Sequence, residues 1–289
     1  MPELPEVETV RSGLSGLIIG KSVASALHDT PKSFPNAPAD VAQFLVGASI
    51  VAIRRRAKVL MIDLSTEYSL VVHLKMTGQL VYVGADSRFG AGHPNDSLVD
   101  ALPDRSTRVT INFTDGSQLF FNDQRKFGWV KLMPTVEVPL LPFMQKVGPE
   151  PLADDFTAAQ FAARFQRRAR TSIKAAILDQ SVVAGVGNIY ADESLWGAYI
   201  HPSRLTGSLT EKEFIDLYTD LRAVMNLSIE KGGSSNRNYV NAEGKRGSYM
   251  DFARVFRREG QPCPRCGTTI EKLRVAGRGT HICPQCQVL

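Results

Sequence analysis

The chain reads as an α+β protein: a mostly antiparallel β half, then a helical half, then a small cysteine-bound hairpin. Three observations carry that reading. Between about Lys21 and Met133, the segments Ile50 to Leu64, Leu70 to Val83 and Val109 to Met133 are rich in Val, Ile, Phe and Tyr, residues that suit a half-buried pleated surface. Prolines at 139, 142, 149 and 151 then punctuate a stretch beyond which apolar residues recur at helical spacing. All four cysteines fall in two C-x-x-C pairs beyond residue 262.

Pro5 followed by Val7, Val10 and Leu14 marks a short N-terminal helix with proline in its first turn. In the β half, Asp115-Gly116 is a hairpin turn, and Gly84 to Arg108, with its Gly, Pro, Asp and Ser, is expected to be a long loop, functional or mobile. Val138 to Pro151 is the expected interdomain linker. Two capping boxes announce the helices that follow: Thr157 with Gln160 ahead of Phe161 and Phe165, and Thr210 with Glu213 ahead of Phe214, Leu217, Leu221 and Val224. The second of these helices should end at Gly232-Gly233. Between them, Thr171 to Tyr199 supplies two short helices separated by Ala184-Gly185-Val186-Gly187. The expected domains are residues 2–137, a linker at 138–151, a helical domain at 152–250 and a finger at 251–289.

With 289 residues and 43% hydrophobic composition, the chain is long enough for two cores. The sequence has no apolar run of membrane-spanning length, and MPELPEVETV is acidic and proline-punctuated rather than basic then apolar. A cytoplasmic protein, neither anchored nor secreted, is therefore expected. Net charge is +5 with a pI of about 9.0, but its distribution says more. Residues 231–289 hold 11 Lys and Arg against 4 Asp and Glu, whereas the rest of the chain sums to −2. Positive charge concentrated in one module is the footprint of a phosphate-neutralising surface.

Cys263-Pro-Arg-Cys266 and Cys283-Pro-Gln-Cys286 are separated by 16 residues, the spacing of a structural zinc site. Each pair presents two thiolates from one tight turn, and the residues between can form a hairpin that closes a tetrahedral shell. A closed shell holds one Zn2+ that folds the module and does no chemistry. Two disulfides or iron in the same four-sulfur shell are the alternatives. Lys272, Arg274 and Arg278 lie between the pairs, so the metal would stiffen a basic hairpin.

Met1-Pro2-Glu3-Leu4-Pro5-Glu6 is the second informative stretch. A small second residue favours removal of Met1, which would leave Pro2 with a free secondary amine. An α-amino group titrates near 8, so a useful fraction is unprotonated at neutral pH. Such an amine can attack a sugar C1′ and form an iminium ion, with Glu3 moving protons beside it. A proline that merely begins a helix is the ordinary alternative.

Eight blocks spread over the chain change that balance: MPELPEVETVRSGL at the start, Arg55-Arg56-Ala57-Lys58, His73-Leu-Lys-Met-Thr-Gly78, Asn122-Asp-Gln-Arg-Lys-Phe-Gly128, Gly148-Pro-Glu-Pro-Leu152, LDQSVVAGVGNIYADE from Leu178 to Glu193, Gly232-Gly-Ser-Ser235, and the terminal GRGTHICPQCQ. In this order they make the whole chain resemble the formamidopyrimidine-DNA glycosylases, bifunctional repair enzymes that release 8-oxoguanine and ring-opened purines. Any one block alone is weak.

The resemblance implies an N-terminal antiparallel β-sandwich with flanking helices, a helix-two-turn-helix domain and a C-terminal β-hairpin zinc finger. It implies Pro2 as Schiff-base nucleophile, Glu3 as general acid, Lys58 beside the lesion phosphate as a proton donor in β-elimination, and Arg278 alongside this catalytic set on a phosphate. Glu6 and Glu193 would support the site. Met76, Arg125 and Phe127 would fill the gap left by an extruded nucleotide, an apolar wedge and a planar cation replacing lost stacking. His73, Arg170, Lys174 and Asn188 resemble phosphate contacts, Asn188 opening a helix whose free amides suit an anion. The segment at about 233–248 resembles a loop that closes over the purine, with Arg237, Asn238 and Tyr239 as its cover. Glycine is replaced by Ala57 before Lys58 and by Lys75 in the His73–Gly78 block, and Ser106 and Arg108 stand where relatives often carry histidines.

The expected partner is double-stranded DNA holding oxidised bases or abasic sites, bound by a monomer. An endonuclease VIII-like enzyme for oxidised pyrimidines, a non-catalytic damaged-DNA binder, and a zinc-ribbon transcription or translation factor are the competing readings. The last leaves the first 150 residues without a role.

Overall fold

Apolar spacing at the start of the chain becomes helix α1 (Leu4–Ile18), which buries Leu4, Val7, Val10, Leu14 and Ile18 along one stripe. The computed structural model describes residues 2–234 and 248–289. After α1 come β1 (Val23–His28), the short α2 (Pro38–Asp40), and then β2 (Ile50–Arg56), β3 (Val59–Leu64), β4 (Tyr68–His73), β5 (Gly78–Val83), β6 (Arg88–Gly92), β7 (Thr107–Phe113), β8 (Gln118–Asp123) and β9 (Trp129–Pro134). They form two antiparallel sheets, ordered β1-β7-β8-β5-β6 and β2-β3-β4-β9. Val72, Ile62 and Val130 of one sheet meet Leu80, Ile111 and Phe121 of the other in a core that α1 also joins. This is the expected β-sandwich.

Its topology places the site. The β4–β5 and β8–β9 connections both cross from one sheet to the other. Because His73 pairs with Trp129 and Gly78 with Asp123, the two crossings lie side by side.

Gly84 to Arg108 is not the long loop that its composition suggests. It holds β6, paired to β5 from Gln79↔Gly92 to Val83↔Arg88, and a 3-10 turn at Asp96–Leu98. Two anchors account for the order. Phe89 packs so closely on α1 that a Cβ at Gly13 would lie 2.1 Å from its ring, and Leu98 is buried with Val81 and Phe120. The Arg88 guanidinium gathers the carbonyls of Ser97, Leu98 and Asp100. A five-residue strand containing two glycines carries too little apolar alternation to be read locally.

The proline-rich stretch forms a 3-10 turn (Thr135–Leu140) and α3 (Pro142–Lys146). Then follow α4 (Ala158–Phe165), α5 (Ile173–Leu178), α6 (Asn188–Gly197), α7 (Glu211–Glu230), a 3-10 turn (Tyr249–Asp251), β10 (Glu271–Val275) and β11 (Arg278–Ile282). Both capping boxes form, the Thr157 amide reaching Gln160 and the Thr210 amide reaching Glu213. Helix α7 gives way to Gly232 and Gly233 at positive φ, 77° and 88°. A second core gathers Phe161, Phe165, Ile177, Tyr190, Leu195, Leu217 and Leu221. The chain divides into two compact units, Met1–Gln145 with Lys231–Ser248, and Lys146–Glu230 with Tyr249–Leu289. Among the described residues no helix is long and apolar enough to cross a membrane.

Candidate active site and metal centre

The first turn of α1 needs acceptors for its free amides. Glu6 supplies one, its Oε2 accepting from the Glu3 amide (2.8 Å), and its Oε1 accepts from the Ser234 amide (2.8 Å) outside the helix. The Ser248 hydroxyl donates to the Ser234 carbonyl (3.2 Å), so the chain on either side of residues 235–247 is tied together and to α1. Arg237, Asn238 and Tyr239 lie outside the described residues. Pro2, Glu3 and Glu6 are all buried. While Met1 is attached, the Pro2 nitrogen is a tertiary amide without a nucleophilic lone pair; cleavage of that peptide bond would make it an amine.

Lys58 sits in the tight turn between β2 and β3 and is only 8% exposed. Arg55 fastens this turn to α1, its Nη1 donating to the Ala57 carbonyl (3.0 Å) and its Nε to Glu8 Oε2 (2.8 Å). His73 ends β4 beside Trp129 and Phe143. Its Nδ1 accepts from the Lys75 amide (3.1 Å). Burial, then the charges of Lys75 and Lys58, holds the imidazole pKa down to about 3, so it is neutral and carries its proton on Nε2.

Met76 in the β4–β5 crossing is 37% exposed, and Phe127 in the β8–β9 crossing 45%. The Arg125 guanidinium lies 4.8 Å from the Phe127 ring centre, a stacked cation and ring in open solvent. Exposed large apolar groups are costly without a partner, and here two of them share adjacent connections. Beneath them, Asp123 binds both crossings. This residue escaped sequence reasoning, its one signal being membership of the Asn122–Gly128 block.

In the second unit Lys174 departs from expectation. It is fully buried, with its Nζ donating to Asp192 Oδ1 (2.5 Å), Thr280 Oγ1 (2.6 Å) and the Gly279 carbonyl (3.2 Å). A lysine whose three donors are spent inside cannot serve as a surface phosphate contact; it ties α5 and α6 to β11. Asn188, first residue of α6, is half-buried, its Nδ2 donating to the Gly279 carbonyl (2.9 Å). Arg170 and Arg278 are exposed. Glu193 is fully buried, accepting from the Tyr249 hydroxyl (2.9 Å) and from the Arg254, Val255 and Phe256 amides (2.9, 2.9 and 2.8 Å). It thus organises the chain that leads into the finger. Burial, and after it the neighbouring Glu193 carboxylate, raises the Tyr249 pKa far above its ordinary value.

The four cysteine Sγ atoms lie within 4.8 Å of one another, with separations of 4.0, 3.4 and 3.5 Å for Cys263–Cys286, Cys266–Cys283 and Cys266–Cys286. A tetrahedron of sulfurs about 2.3 Å from zinc has edges of about 3.8 Å, so this donor set fits one Zn2+ and is too open for disulfides. Hairpin β10–β11 joins the two cysteine pairs as expected.

Comparison with known proteins agrees with this architecture. The family models for the formamidopyrimidine-DNA glycosylase N-terminal domain, its H2TH domain, and the zinc finger found in FPG and IleRS match residues 1–130, 147–239 and 260–288. A formamidopyrimidine-DNA glycosylase of Herpetosiphon aurantiacus is 44% identical over 289 residues, covering 99% of this chain and 100% of that protein. A Lactococcus lactis FPG mutant in complex with Fapy-dG-containing DNA aligns with TM-score 0.85 at 35% identity, covering 99% of each chain. The same organism's enzyme with abasic-site DNA gives TM-score 0.85 at 36% identity, again over 99% of each chain. With a sandwich bearing a capped N-terminal helix, a helical unit and a four-cysteine finger all matched in order over the full length, the chain belongs to the formamidopyrimidine-DNA glycosylase family.

Proposed function

We infer that this chain is a bifunctional base-excision repair enzyme, a DNA-formamidopyrimidine glycosylase and abasic-site lyase that removes oxidised purines such as 8-oxoguanine and cuts the strand by β,δ-elimination. The observation that carries the reading is the buried Pro2-Glu3 pair, held at the capped start of α1 in the same unit that presents Met76, Arg125 and Phe127 to solvent. The relatives solved with Fapy-dG and abasic-site DNA support it.

In this mechanism the wedge trio occupies the place of the extruded nucleotide. The Pro2 amine attacks C1′, the C1′–N9 bond breaks, and the departing base takes a proton. Glu3 protonates the ring oxygen as the sugar opens to the iminium. Loss of a C2′ proton expels the 3′ phosphate and a second elimination expels the 5′ phosphate, with Lys58 beside the backbone charge. Water then releases Pro2 from the sugar remnant. Extruding a base costs a few kcal/mol, least for a weakened pair, so damage supplies part of the selectivity. Arg170, Arg278 and the neutral His73 Nε2–H serve phosphates. Zn2+ on Cys263, Cys266, Cys283 and Cys286 holds the finger's shape. We assign catalysis to residues 2–137, duplex grip to 152–250, lesion cover to about 233–248 and the finger to 251–289, acting on chromosomal DNA in the nucleoid.

Borohydride trapping on an 8-oxoguanine:cytosine duplex tests this directly. A covalent adduct that mass spectrometry places on Pro2, and that Pro2→Gly abolishes, is the expected result. Absence of any adduct overturns the enzymatic reading, and preferential cleavage of thymine glycol duplexes overturns the lesion class.

A further inference from the structure

Three side chains that enter a duplex together must be held in one register, yet Met76 sits on the β4–β5 crossing and Arg125 and Phe127 on the β8–β9 crossing. Connections between strands are ordinarily the looser parts of a sandwich. Here one carboxylate spans both. Asp123 is 0% exposed. Its Oδ1 accepts from the Thr77 hydroxyl and from the Arg125 amide (3.1 Å), and its Oδ2 from the amides of Phe127 (2.8 Å) and Gly128 (2.6 Å). The Thr77 hydroxyl accepts from the same Arg125 amide (3.1 Å), which closes the link between the two connections. A Cβ at Gly128 would lie 2.7 Å from the Phe121 ring and 3.1 Å from Asp123 Oδ2, so the second connection can come this close only as glycine.

The backbone of Asp123 is braced from behind. Its carbonyl accepts from Arg108 Nε (2.8 Å) and its amide donates to the Ser106 carbonyl (2.8 Å). Arg108 is itself 6% exposed and pairs with Asp29 and the Arg105 carbonyl. Four donors converging on one dehydrated charge make a stiff template, because hydrogen bonds to ionised acceptors are the strong ones and lose little to solvent in such a place.

We propose that Asp123 is the positioning residue of the wedge: it sets Met76, Arg125 and Phe127 in a single arrangement, with Ser106 and Arg108 as its brace. It touches no reacting atom, and its role rests on the excision reading above. Asp123→Asn keeps the shape but turns one acceptor oxygen into an NH2 group that faces amide donors. The readout is a ratio, base release from an 8-oxoguanine:cytosine duplex divided by borohydride trapping on a single-stranded abasic oligonucleotide, which has no stacked gap to fill. That ratio should fall about tenfold in Asp123→Asn, and by about threefold in Thr77→Val, which removes only the bridging hydroxyl. The rise in fluorescence of 2-aminopurine placed beside the lesion should shrink in parallel. An unchanged ratio in both variants overturns the proposal, as do equal losses on the two substrates, which mean that Asp123 only supports the fold. Failure of the unsubstituted protein to trap either substrate strikes instead at the excision reading, before any variant is made.

Discussion

Seven of the described non-glycine residues carry a backbone conformation that their side chains disfavour. Two of them, Ala57 and Lys75, have φ of +52° and +50°, and both stand where the family resemblance implies glycine. In the left-handed region a Cβ crowds the next carbonyl, at about 1–2 kcal/mol, while glycine loses about 0.5–1 kcal/mol more chain entropy on folding. Ala57→Gly should therefore raise stability by about 0.5–1 kcal/mol, read as a higher urea midpoint with unchanged slope; a lower midpoint would contradict the strain. At His73 the folded pKa of about 3 lies below the ordinary 6.5. Between those values the unfolded chain holds the extra proton, so the His73 contribution is complete above pH 6.5 and is lost as pH falls, by at most about 1.4 kcal/mol per unit. Denaturation of His73→Gln should show a shallower decline between pH 6 and 4 than the unsubstituted chain. Identical slopes would mean that another group titrates there.

At the scale of elements, buried charges join pieces that motifs treat separately. Lys174 of α5, Asp192 of α6 and Thr280 of β11 form one dehydrated cluster, completed by His281, whose amide donates to Asp192 Oδ2 (2.9 Å). Removing one partner of such a pair costs about 3–5 kcal/mol because the other charge is left unmatched. Lys174→Met should accordingly lower the unfolding midpoint of the helical unit while leaving the slope of log affinity against log salt unchanged. Arg278→Ala or Arg170→Ala should do the reverse, reducing that slope by about one without loss of stability. A salt slope altered by Lys174→Met, with stability intact, would return that lysine to the DNA surface. Element types were largely legible beforehand, since capping boxes and period-two alternation are local. The β6 strand was not, because Phe89 is recruited by Gly13, far away in sequence.

For the molecule as a whole, the finger has little core of its own. Val255, Cys263, Ile270 and Cys283 pack with Trp196 of α6, whose ring is flanked by the guanidiniums of Arg254 (4.9 Å) and Arg265 (3.8 Å). Metal coordination must supply most of its folding free energy. Chelation should melt β10–β11, change Trp196 fluorescence and weaken DNA binding at least about tenfold by removing a basic hairpin, while the sandwich keeps its own unfolding transition. Full DNA affinity after verified zinc loss would separate the finger from binding.

From sequence alone came the order of β half, helical half and finger, the four metal ligands, and the residues proposed for chemistry, because each is written in a spacing of a few residues or a contiguous block. Which neighbours those residues have was decided by tertiary structure. Asp123 finds the Thr77 hydroxyl 46 positions away, and Lys174 finds Thr280 across 106. Strand register and helix packing bring such groups together, and a buried charge stays only where its donors and acceptors converge.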